Sequence, residues 1–293
     1  MNPQQFDLNS ALNRFLDGDH ATSSCQDLEA LLSEIERESK GMHFFLEMLI
    51  NTNLWKSWKI DPNPYPSMIL TIGSEIDRIA SIGNEPAFHS KKHMMDVCLM
   101  LSYLLKQEER AEESGVLTPV WKISSLEKWQ LLLAASAHDL GHPGLMNSVP
   151  FEIEQQSLDL LEALLLGAGN DPTKIQEVLE TIKPWILATD HGQYTALLQR
   201  LSLNTPKHED CLAMLLVEAD LASSVLPIRG KLLTDRLCEE WAVPYPEKSI
   251  ALQKQVGYLN FLTSLRFLSP HSVCAGITTI LDNSISQLRL LPS

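Results

Sequence analysis

Apolar residues recur along this chain at intervals of three and four. Leu28, Leu31, Leu32 and Ile35 share one helical face, as do Phe44, Phe45, Met48 and Leu49. The run Asp61-Pro62-Asn63-Pro64-Tyr65-Pro66 breaks the pattern and is the best boundary, separating an N-terminal helical segment, 1–60, from a larger unit, 61–293. Beyond it the spacing predicts helices over 68–82, 88–106, 126–137, 151–166, 173–188, 208–225, 232–241, 249–268 and 272–288. The charged stretch 108–119, punctuated by Gly and Pro, reads as a surface loop. The segment 167–172, with Gly at the stop and Asp before Pro at the restart, reads as helix punctuation. No strand alternation and no repeat is found. The expected fold class is all-α.

Composition narrows the function. With 44% hydrophobic and 20% charged residues, the 293-residue chain is neither disordered nor membrane-like. No apolar run approaches the ~20 residues that span a bilayer. The first seven residues hold no basic region and no apolar core, so export is not expected. Five widely spaced cysteines, an odd number, suggest reduced thiols and a cytoplasmic protein, not a disulfide framework or zinc ribbon. A net charge of −14 argues against nucleic acid as a partner. A small anion can still be held where metal neutralises the site.

The chemistry concentrates in Ala137-His138-Asp139-Leu140-Gly141-His142-Pro143-Gly144, which follows the apolar run 131–135. Burying a carboxylate there costs several kcal/mol unless something pairs with it. A metal cation is the economical partner, because it takes neutral imidazole and carboxylate together. A polar helix C-cap is the bland alternative. Three further polar spots sit in or beside apolar helices. His89 and His93 are four apart and so share a helical face, although Lys91 and Lys92 also fit a solvated surface. Asp190-His191 precedes Gly192, where capping competes with function. Asp220 sits between Leu215-Leu216-Val217 and Leu221-Ala222, where exposure is awkward. His20 and His43 are lone histidines without a chemical context. Together the spots supply imidazoles and carboxylates from separate helices, a mixed site suited to Zn, Fe, Mn or Mg. Asp139, with two oxygens, can bridge two ions. A metal pair ~3.5–4 Å apart lowers the pKa of bound water to about 7 and clamps a phosphoryl group. The departing alkoxide needs a proton, and His89, one turn ahead of His93, is placed to give it.

His93, His138-Asp139 and Asp220 together resemble the HD-domain metal phosphohydrolases. The string His138–Asn147 resembles more closely the signature of the 3′,5′-cyclic nucleotide phosphodiesterases. So do Phe88-His89-Ser90-Lys91-Lys92-His93 with Asp96-Val97, Ala188-Thr189-Asp190, Ala219-Asp220-Leu221, and Lys254-Gln255-Val256-Gly257-Tyr258. The resemblance runs over about 86–266. It implies a compact multi-helix bundle with the metal site between helices. It makes His93, His138, Asp139 and Asp220 ligands of a tightly held ion, usually zinc, with Asp139 bridging to magnesium or manganese. It makes His89 the general acid and His142 the histidine that orients the bridging hydroxide. Gln255 corresponds to the glutamine that bonds the purine edge, and Tyr258 to the aromatic that clamps the base. The implied partner is a small cyclic nucleotide, cAMP or cGMP, converted to its 5′-monophosphate; neither membrane nor nucleic acid is expected.

The chain departs from the family at Gly141 (usually Asp), Ser90 (Asn), Val217-Glu218 (His-Cys), Ala222-Ser223-Ser224 (Ser-Asn-Pro) and Tyr194 (often His). None removes an expected metal ligand. The departures keep open two alternatives: another HD-type phosphohydrolase, or a metal-binding helical scaffold without turnover.

Overall fold

Caps and prolines set where the helices begin. In the computed structural model, which describes residues 7–18, 25–83, 85–203 and 205–290, the chain forms α1 (Leu8–Asp17), α2 (Cys25–Glu38), α3 (Met42–Ile50), α4 (Asn53–Ser57), α5 (Tyr65–Ser81) and α6 (Lys91–Leu105). There follow α7 (Glu108–Glu113), α8 (Ser125–Ala137), α9 (Glu152–Gly167), α10 (Pro172–Leu187), α11 (Tyr194–Leu201) and α12 (His208–Ala222). The chain closes with α13 (Arg229–Trp241), α14 (Pro246–Gln253), α15 (Gln255–Ser264), α16 (Pro270–Cys274) and α17 (Ile277–Leu290). Asp7 and Thr52 cap α1 and α4, Ser124 and Glu127 form a reciprocal capping box on α8, and Asp171 before Pro172 starts α10. No strand occurs among the described residues, and the protein is all-α. His20 lies outside the described residues.

The structure differs from the periodicity in five places. His89 precedes α6 instead of riding on it, because Ser90 is extended and serves as its N-cap residue. The stretch expected to be loop at 108–119 contains α7. Residues 194–201, unassigned from the pattern, form α11. The helix expected over 249–268 is two, broken at the extended Lys254. There Gly257 comes so close to Ala251 that a Cβ would lie 1.9 Å from its carbonyl oxygen. Likewise 272–288 divides at Gly276, whose φ of +77° an L side chain rarely adopts.

Three helices run through the centre. α6 and α12 pack on each other, and both touch α8. From His93 to Leu105 every residue of α6 is buried. Such a helix has no solvent stripe, so any polar group on it needs an internal partner. Each fully buried leucine along these helices contributes about 1.5–3 kcal/mol. The N-terminal helices share this core. Trp55 donates its indole N–H to Ser102 on α6 at 3.0 Å, and Lys106 bonds the Phe15 carbonyl at 2.6 Å. The Asp77 carboxylate receives the Met42 and His43 amides and so starts α3. The break at 61–66 is therefore a turn between elements of one core. Among the described residues, no single helix is long and apolar enough to cross a membrane.

Candidate active site

Three central helices deliver four ligand-type side chains to one point. His93 projects from the first turn of α6, His138 is the C-terminal cap residue of α8 with Asp139 next to it, and Asp220 stands in the last turn of α12. His93 and His138 are fully enclosed, while the two carboxylates are half-buried at the edge. His93 Nε2 lies 2.9 Å from Asp220 Oδ1 and 3.5 Å from Asp139 Oδ2; His138 Nε2 lies 3.2 Å from Asp139 Oδ2 and 3.7 Å from Asp220 Oδ1. The loop after α8 can present both residues because Leu140 turns back onto the Ala137 carbonyl. Gly141 and Gly144 there adopt φ of +74° and +73°.

These residues fit a metal ion. An ion about 2.1 Å from each of its ligands holds them roughly 3.0–3.4 Å apart in octahedral or tetrahedral arrangement, and the observed separations bracket that range. The His138 Nδ1–H donates to the Ala135 carbonyl at 2.9 Å, fixing the tautomer that leaves the Nε2 lone pair facing the carboxylates. That Nε2 is buried without a hydrogen-bond partner. Burial alone would lower the pKa of His93, yet Asp139 and Asp220 raise it to about 9, and they push His138 well above its usual value too. Both aspartates are held well below the carboxylate range against their own burial, chiefly by the two histidines. The two carboxylates thus favour positive charge between them, which one divalent cation would supply.

A second cluster adjoins the first. Glu240, at the C-terminal end of α13, takes the amide of Phe88 at 2.8 Å, the amide of His89 at 3.0 Å and the His89 Nδ1–H at 2.6 Å. His89 is thereby held by both backbone and ring. Its ring centroid lies 6.1 Å from that of His93 and stacks on His142 at 3.6 Å, 20° from parallel. His142 Nδ1 accepts the Gly144 amide, and burial pushes its pKa down to about 4, so His142 is neutral at pH 7. Glu240 stays ionised despite burial because His89 bonds to it. Its carboxylate was missed in the sequence, though an acid at a helix C-terminus opposes the macrodipole and so hints at another partner. Glu154 was missed as well. It sits beside Asn147, and burial, with Asp190 and Asp139 nearby, raises its pKa.

The structure thus brings six of the eight candidate residues together. The other two are engaged elsewhere. Gln255 donates its amide to the Leu288 carbonyl of α17 at 2.5 Å, and Tyr258 donates its hydroxyl to the Ser224 carbonyl just past α12. Asp190 acts as a cap, holding the Gly192 amide and the Phe151 amide, the latter at a left-handed φ of +66°. Two of the family departures have local partners of their own. The Glu218 carboxylate receives the amides of Leu268 and Ser269 and the hydroxyls of Ser269 and Ser272, which starts α16. Tyr194 bonds both main-chain groups of Arg266.

An all-helical bundle that gathers imidazoles and carboxylates at its centre, with a second histidine–carboxylate pair alongside, has the makings of a metal-dependent enzyme. Residues 88–158, which contain His89, His93, His138, Asp139 and His142, match the family model described as 3′5′-cyclic nucleotide phosphodiesterase. No curated protein matches the sequence significantly. Among solved structures, LmjPDEB1 in complex with IBMX is similar in fold, with a TM-score of 0.60 and 15% identity, over 98% of this chain and 93% of that one. The resemblance in sequence to that family spans residues 88–158, and the likeness to the solved structure is one of fold.

Proposed function

We propose that this protein hydrolyses a 3′,5′-cyclic nucleotide, cAMP or cGMP, to the 5′-monophosphate. The observation that carries the reading is the pairing of a cation-ready cluster with a carboxylate-held histidine beside it. His93, His138, Asp139 and Asp220 would hold a tight ion, for which zinc suits the mixed imidazole and carboxylate donors, with Asp139 shared to magnesium or manganese. When bound, such ions supply Lewis acidity toward the phosphoryl oxygens and lower the pKa of water.

The protein's own groups handle the protons. A water oxygen forms the new bond to phosphorus and gives up one proton to solvent while the bond from phosphorus to the 3′ oxygen breaks; that oxygen takes a proton from His89, which solvent then reprotonates. Glu240 keeps His89 oriented through its ring and backbone bonds. His142, neutral with Nδ1 already occupied by the Gly144 amide, carries its proton on Nε2 and orients the attacking water as a donor. Turnover of cAMP and cGMP by purified protein, with added Mg²⁺ or Mn²⁺ and with elemental analysis alongside, tests the proposal. His89→Ala should lower kcat by about 10²–10⁴-fold with metal content unchanged. Loss of metal, or full activity, in that variant would refute the assignment.

One observation favours a second reading, hydrolysis of another phosphodiester: the Gln255 amide is bonded to α17. If Gln255→Ala leaves KM for purine cyclic nucleotides unchanged, the base is not read at that position. A raised KM supports base recognition by Gln255.

A further inference from the structure

A charge network lies outside the cluster and connects it to the N-terminal segment. Arg229, the first residue of α13, is buried and makes a two-pronged bond to Asp96, three residues after His93 on α6, at 2.7 and 2.9 Å. Its remaining Nη1 reaches Glu36 on α2 at 2.5 Å. Glu36 also receives Arg236, one α13 turn pair further on, and Lys92 at 3.0 Å. Glu29, one α2 turn pair earlier, accepts the amides of Ile228 and Arg229 at 2.7 and 2.8 Å, which caps the start of α13 with negative charge. Glu29, Glu36 and Asp96 balance Lys92, Arg229 and Arg236.

α13 leads from this network to the proton donor. Arg229 and Glu240 are eleven residues apart, roughly 16 Å along the helix axis. Glu240 at the far end holds the ring and backbone of His89. The near end has little freedom to slide: a Cβ on Gly230 would lie 2.3 Å from the Ser224 carbonyl oxygen. A shift of α13 therefore moves Glu240, and with it His89. We propose that the acidic face of α2 is the anchor that sets α13 in register with α6, making Glu36 and Glu29 positioning residues for the proton donor His89. Helix α2 is then part of the catalytic apparatus, although it acts only through α13. The inference rests on the proposed role of His89 as general acid.

The test uses the full chain and two substrates. A cyclic nucleotide expels an alkoxide and needs the proton. Bis(p-nitrophenyl) phosphate expels a stabilised phenolate and does not. Glu36→Gln keeps the side-chain volume and one acceptor but removes the charge; Glu29→Gln does the same at the α13 cap. For each, kcat on the cyclic nucleotide should fall about 10-fold or more with KM within about 2-fold, while the activated diester is spared. His89→Ala should show the same split more strongly. Hydrogen exchange at the Phe88 and His89 amides, both bonded to Glu240, should quicken in both variants. Equal loss on both substrates, or no loss on either, would overturn the positioning role. Wild-type protein inert toward cAMP and cGMP would instead refute the functional reading, and the amide exchange alone would then decide whether α2 anchors α13.

Discussion

Removing Arg229 should expose how much the buried network contributes. Arg229 is 3% exposed and Asp96 1%, so Arg229→Leu leaves a carboxylate enclosed without its partner. Breaking a buried pair in this way costs about 3–5 kcal/mol. For 293 residues the unfolding entropy near the midpoint is about 0.6 kcal/mol/K, so Tm should fall by about 5–8 °C. The loss has a sign with pH. Burial raises the Asp96 pKa above the usual carboxylate value even with Arg229 beside it, and losing the guanidinium raises it further. A raised folded-state pKa means stability that is present below the unfolded pKa and lost as pH rises through the folded value. The penalty of Arg229→Leu should therefore be largest at pH 8 and shrink toward pH 5, by at most about 1.4 kcal/mol per pH unit for one proton. Urea unfolding at a series of pH values measures it. The double variant Arg229→Leu with Asp96→Leu should recover most of the loss, because the lone buried charge is gone. A single variant costing under about 1 kcal/mol, or a double variant as unstable as the two singles summed, would refute the reasoning.

Three further outcomes are expected. Asp220→Ala should lose stoichiometric metal by elemental analysis; retention of the full complement would show that the ion is held elsewhere. Glu240→Gln should lower kcat about 10–100-fold, since a hydrogen bond to a charged partner contributes about 1.5–3 kcal/mol, with little change in bound metal. His271, fully buried with neither ring nitrogen partnered, has its pKa pushed down to about 3 by burial, with Lys128 adding to the effect. A depressed histidine pKa removes stability as pH falls from the unfolded value near 6.5 toward 3, so His271→Leu should be more stable than wild type at pH 5 in thermal melts, and less stability there would show a hidden partner.

Hydrophobic spacing by itself determined that the chain is helical and roughly where most of its helices run. It also marked His138, Asp139 and Asp220 as anomalous, because a polar side chain beside or inside an apolar run must be partnered or pay for its burial; His93, next to Lys91 and Lys92, stood out only in company with those three. Local spacing carries that information, since the runs before His138 and around Asp220 are read within a single turn or two. The same spacing placed His89 on a helix face with His93, and there it failed. Whether a helix starts before or after Ser90 depends on what its neighbours bond, and Phe88 and His89 are held by Glu240, 151 residues away for His89. Only the tertiary structure decided that Glu240 holds His89, that α2 is joined to α13 through Glu36 and Arg229, and that Gln255 bonds α17. Each of those pairings joins residues far apart in sequence, and no periodicity along a chain encodes which distant charges will meet once the helices pack.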